Sequence, residues 1–101
     1  MGNIAQIDDI FKNILGSENV YFQPPPSLLM HYPAIRYRLA DIQNTFADNE
    51  VYIQSHAYEV TVIDPNPDSE IVKMVSKLPT CRFNRYYAAD NLNHTVFLIH
   101  F

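Results

Sequence analysis

The sequence predicts an α+β fold, a mostly antiparallel sheet of about four to five strands with an N-terminal helix and a second helix between strands packed on one face. Three observations carry this. Ile4, Ile7, Ile10, Phe11, Ile14 and Leu15 recur at three- and four-residue steps and form one apolar helix face. Extended runs with apolar alternation or β-branched residues follow at 34–41, 50–63, 82–88 and 94–101. Between the second and third of them lies a short helical stripe, Ile71, Val72, Val75 and Leu78. A chain of 101 residues has room for one core, so residues 1–101 are read as one domain. Its parts are an N-terminal helix at 1–16, an extended proline- and aromatic-rich arm at 17–33, and a sheet at 34–101 holding a helix at 68–78.

The first helix spans residues 3 to 15, with Asn3 placed to cap it and Gly16 suited to the left-handed position that ends it. Next comes Glu18-Asn19-Val20-Tyr21-Phe22-Gln23, which resembles the recognition sequence of a potyviral protease. Pro24 at the cleavage position should block cutting, and the segment reads as native: a short edge strand, then an extended crossing through Pro24-Pro25-Pro26. In residues 34–41, Ile35, Tyr37 and Leu39 share one strand face and Arg36 and Arg38 the other. Asn44 to Asn49 is polar and turn-like, with Phe46 exposed or tucked back. Glu50 to Ile63 is long for one strand, so a bulge or bend is expected near Ser55.

Asp64-Pro65-Asn66-Pro67-Asp68 breaks the strand, and Asp68 is the expected cap of the second helix, which Pro79 stops. Two strands, 82–88 and 94–101, then flank Ala89-Asp90-Asn91-Leu92-Asn93 as a hairpin loop. Both faces of the last strand are largely apolar, which places it inside the sheet.

Composition removes several functions. Seven Lys and Arg against eleven Asp and Glu give a net charge of −4, which argues against a general nucleic-acid binder. Only Gly2 and Gly16 are present, so no glycine-rich phosphate loop exists. No apolar run approaches the ~20 residues of a membrane helix, and Met1-Gly2-Asn3-Ile4 lacks the basic start of an export signal. The expectation is a cytosolic origin. Cys81 is the only cysteine, which leaves no internal disulfide and no cysteine-built zinc site.

Asp64, Asn66 and Asp68 imitate the opening of a calcium loop, but Ser69 and Val75 stand where glycine and glutamate are needed. A turn and helix cap is the simpler reading. His31, His56, His94 and His100 show no ligand spacing; His94 and His100 share a strand face but lie ~20 Å apart along it. Arg82 and Arg85 fall on opposite faces of an ideal strand. An arginine face could meet DNA phosphate, but with this net charge salt bridges within or between subunits are favoured. Asn93-His94-Thr95 matches the glycosylation triplet without an export signal, and no Ser, His and Asp spacing identifies a nucleophile. The expected catalytic, cofactor-binding and metal sites are therefore none. What stands out is thirteen aromatics in so small a domain, more than a core of this size readily buries. Tyrosine suits interfaces, where its ring gives area and its hydroxyl meets water. Tyr21, Phe22, Tyr32 and Tyr37 are the expected oligomer interface.

Four segments carry a resemblance: Asn19-Val20-Tyr21-Phe22-Gln23-Pro24-Pro25, Val60 through Ser69, Leu78 through Phe83, and Ala89 through His94. Together they resemble small proteins encoded in the head-to-tail (neck) region of long-tailed phages and prophages of Gram-positive bacteria, over nearly the whole chain from about residue 15. The element order is similar to that of tail-completion proteins, including tail terminators and tail-to-head joining proteins. The resemblance implies a non-enzymatic virion protein, made in the bacterial host cytoplasm. It implies assembly as a ring, commonly of six copies, at the head–tail interface. Its partners would be copies of itself, the head connector and the tail tube, with DNA passing through the ring and no cofactor. Two alternatives stand beside it. One is a small metal-dependent phosphodiesterase using Asp64, Asp68 and Glu70 with a histidine. The other is a monomeric protein that binds a host factor.

Overall fold

The computed structural model describes residues 4–100, with the side chains of 47 and 51–53 left aside. Helix α1, Ile4–Leu15, forms where the apolar three- and four-residue spacing predicts it and buries Ile7 and Phe11. It ends at Gly16, whose φ of 74° is the left-handed region and whose N–H bonds the Lys12 carbonyl at 2.8 Å. The expected Asn3 cap lies outside the described residues.

The expected edge strand is β1, Val20–Phe22. It pairs in parallel with β2, Ala34–Ala47, after a loop that carries the three prolines and a cis Tyr32–Pro33 bond. β2 and β3, Glu50–Asp64, form one antiparallel hairpin. β4, Arg82–Ala89, and β5, Leu92–His100, form another. The sheet order is β1-β2-β3-β5-β4, which places the last strand inside the sheet as its two apolar faces predict. Helix α2, Glu70–Ser76, crosses between β3 and β4.

Both helices lie on one sheet face. Ile7, Phe11 and Val75 meet Val20, Ile35, Tyr37, Tyr58, Val60, Val62, Phe97 and Ile99 in one buried cluster. Burying each such side chain is worth about 1.5–3 kcal/mol, so this layer holds the fold together.

Four expectations are corrected. The stretch 44–49 is not a loop: β2 runs on to Ala47, and the turn is only Asp48-Asn49, at φ 53° and 64°. The second hairpin likewise turns on Asp90-Asn91 alone, at φ 53° and 61°. Two successive positive φ angles make a tight turn whose twist matches the flanking strands, and Asp and Asn tolerate that region. The bulge or bend expected near Ser55 falls to either side of it: the register skips Tyr52 of β3 opposite Thr45 and Phe46, and Ala40 of β2 between Leu39 and Asp41. The second helix is shorter than 68–78, and Ser69, not Asp68, caps it by accepting the Val72 N–H.

A 15-residue strand is about 50 Å long, and the molecule measures 51 × 28 × 23 Å. The β2–β3 hairpin sets that long axis. Residues 40–46 are exposed on both strand faces, so the distal hairpin is an arm that leaves the helix layer behind.

Candidate functional site

The four aromatic residues expected at an interface have different fates. Tyr37 is enclosed at 0% exposure. Its ring packs edge-on to Phe11 and Tyr58, and its hydroxyl donates to Asp8 Oδ1 at 2.9 Å. Burial and that bond push its phenol well above the usual tyrosine range. Tyr37 is thus a core residue and presents no surface, because alternation puts it on the helix-covered face with Ile35. Tyr21 is half-buried, its hydroxyl accepting the His31 N–H at 3.2 Å. Phe22 and Tyr32 are exposed.

The residues of the phosphodiesterase alternative do not converge. Asp64 is buried, with Oδ1 accepting the Asn66 N–H at 2.9 Å and Oδ2 accepting the Ser69 hydroxyl at 2.8 Å. Asp68 and Glu70 instead receive Lys73 Nζ at 3.0 and 3.1 Å, and those carboxylates raise the lysine's pKa. Both oxygens of Asp64 are committed to building the turn, which is a structural role. Among the described residues no three His, Cys, Asp or Glu side chains gather as a metal site. Cys81 is half-buried, and burial pushes its thiol upward.

The sheet face away from the helices holds the arrangement that sequence reasoning missed. Arg36 lies opposite Thr61, and Arg38 opposite Glu59. Thr61 and Glu59 in turn face Val96 and Leu98, which face Arg85 and Arg82. Arg82 and Arg85 therefore share a face, correcting the ideal-strand expectation. The register shift between Phe83 and Arg85 restores them to the same side. All four arginines of the chain stand on this helix-free face, in two columns three strand steps or about 14 Å apart.

Glu59 sits between the columns and binds both. Arg38 Nη2 reaches its Oε2 at 2.7 Å, and Arg85 Nη2 its Oε1 at 3.6 Å. Among the described residues Arg36 and Arg82 have no carboxylate partner. On the β1 side a groove of about 460 Å³ is lined by Gln23, Pro24, Arg36, Arg38, Glu59 and Thr61. Gln23 Oε1 accepts the Leu39 N–H at 3.2 Å and closes the groove's rim. On the β4 side Tyr87 stacks on His94 at 4.6 Å, with the Arg85 guanidinium 5.9 Å from the Tyr87 ring.

Lys12 and Lys73 lie elsewhere and are neutralised locally. Lys12 bridges Asp8 and Glu18, each at 3.0 Å, and those carboxylates raise its pKa. The outer strand β4 is exposed at every residue but Tyr87, with Phe83 and Tyr86 on its helix-side face. No described helix is long and apolar enough to cross a membrane. Comparison with protein-family models, curated proteins and solved structures finds no match to this chain.

Proposed function

We propose that this chain is a structural subunit of the head–tail junction of a long-tailed phage or prophage, of the tail-completion, tail-terminator or tail-to-head joining type. It works by packing against copies of itself in a ring and against the head connector and tail tube. The observation that carries the reading is the β2–β3 arm. Residues 40–46 of its β2 strand are exposed on both faces, with Ile42 and Phe46 among the exposed apolar side chains. A two-stranded ribbon alone in water is marginal in stability, and its natural support is a neighbouring surface. The uncovered outer edge of β4 adds a second site for pairing between subunits. A ring uses such unlike surfaces, since one patch of each subunit meets a different patch of the next.

Neither alternative gains a specific observation. The carboxylates required of a phosphodiesterase are engaged in the turn and with Lys73. The test is the solution mass by light scattering after gel filtration, with negative-stain electron microscopy of the same fractions. A mass near six times 11.7 kDa with annular particles supports the proposal. A monomer whose melting temperature rises with magnesium or manganese favours the phosphodiesterase instead.

A further inference from the structure

We propose that the acidic tip of the β2–β3 arm of one copy docks onto the arginine-bearing, helix-free sheet face of the next copy. This rests on the assembly reading above and names the contact that would carry it.

Charge is divided between the two surfaces. From Leu39 to Ile63 the chain contains no lysine or arginine. The arm beyond the core carries Asp41, Asp48 and Glu50; Asp48 is the first residue of the Asp48-Asn49 turn and Glu50 follows it. Both are exposed, and among the described residues neither has an ion-pair partner. The groove face carries Arg36, Arg38, Arg82 and Arg85 against Glu59, with Asp41 one register position further out at the root of the arm. Glu59 satisfies Arg38 and Arg85. Among the described residues the guanidiniums of Arg36 and Arg82 have no ion-pair partner, and neither do the two carboxylates at the tip.

The columns stand about 14 Å apart, with Glu59 between them holding its partners Arg38 and Arg85 over buried Thr61 and Val96. The open groove lies on the β1 side beside Arg36 and Arg38, and Arg82 stands three strands away, so the tip lies across the face with long arginine side chains reaching it from either column. Phe46, 64% exposed and two residues before Asp48, would be covered by the same docking.

A nucleic acid suits the face less well. Tight binding to a phosphate backbone needs many cationic contacts, and Glu59 occupies two of the four arginines while placing a carboxylate between the columns. The arm and groove lie on different parts of one subunit, so the contact is head-to-tail and closes into a ring or extends as a filament.

The test uses the full chain and two charge-reversed forms, Arg36→Glu with Arg82→Glu, and Asp48→Lys with Glu50→Lys. Sedimentation velocity at low and high salt reads the dissociation constant, and circular dichroism checks that each form folds. Each double variant alone is expected to weaken self-association by about 100-fold, because like charges then face each other. An equimolar mixture is expected to restore it, since acidic groove then meets basic tip and native groove meets native tip. If the wild type associates and both variants associate equally well, the docking contact is wrong while the assembly reading stands. A wild type that stays monomeric at the highest concentration and lowest salt overturns both.

Discussion

Replacing Tyr37 by phenylalanine separates the two contributions of the best-buried aromatic residue. The ring stays, and with it the packing against Phe11, Phe22 and Tyr58. Only the hydroxyl that donates to Asp8 is lost. Asp8 keeps its ion pair with Lys12 and some solvent access, so no charge is stranded. The cost at neutral pH is then about 1–2 kcal/mol, toward the low end for a bond to a charged acceptor. Truncation to alanine, by contrast, should cost about 3–5 kcal/mol through the cavity it opens.

The hydroxyl also leaves a signature in pH. Because the folded-state pKa of Tyr37 is raised, its contribution is complete below the unfolded tyrosine value of about 10 and falls as pH rises toward the folded value. The slope from this one group is at most about 1.4 kcal/mol per pH unit. Urea unfolding followed by circular dichroism at pH 7, 9 and 10.5 should show Tyr37→Phe less stable than wild type at pH 7 and 9. The gap should narrow at pH 10.5. Equal stabilities at pH 7, or two curves that stay parallel through pH 10.5, would refute the reasoning.

Other perturbations test the turn, the helix end and the thiol. Ser69→Ala removes both the α2 cap and a hydroxyl donor to buried Asp64, and should cost about 1–2 kcal/mol. Asp68→Ala, at an exposed ion pair, should stay within about 0.5 kcal/mol in the same urea unfolding at pH 7; the reverse order would restore Asp68 as the cap. Gly16→Ala meets no atom within 4 Å of the new Cβ, so its cost should be only the left-handed backbone, about 1 kcal/mol. Gly16→Asn should cost less, and equal losses for both would point to a steric cause. Cys81, half-buried with its thiol raised, should react with a disulfide reagent many times more slowly at pH 7.5 in the native state than in urea. Equal rates in the two states would show the thiol to be open.

The division between helix layer and arginine face gives the net charge of −4 its structural form. The lysines described above are tied to nearby carboxylates on or next to the helices. The arginines gather where no helix covers the sheet. An overall acidic chain can thus present one locally basic surface, which composition averages away.

The amino-acid sequence by itself determined the element types and their order, because the signals are local. Apolar spacing at three and four residues makes α1, alternation makes the strands, and Gly16 and the Asp64–Ser69 segment mark where helices end or begin. It also placed Arg36 and Arg38 together and β5 inside the sheet. The turns carried a readable signal in Asp48-Asn49 and Asp90-Asn91, yet polar neighbours such as Asn44, Asn93 and Thr45 blurred where each strand stopped. Tertiary structure alone decided the rest, because it depends on pairing between distant residues. Tyr37 became core and not surface once α1 covered its strand face. The hairpin became a 51 Å axis once β2 and β3 paired along their lengths. Above all, the register shift beside Asn84 turned Arg82 and Arg85 to one side, opposite Leu98 and Val96. A bulge displaces one residue against its partner strand, so which face a side chain joins is set by the neighbour it pairs with, and a single sequence does not contain that pairing in local form.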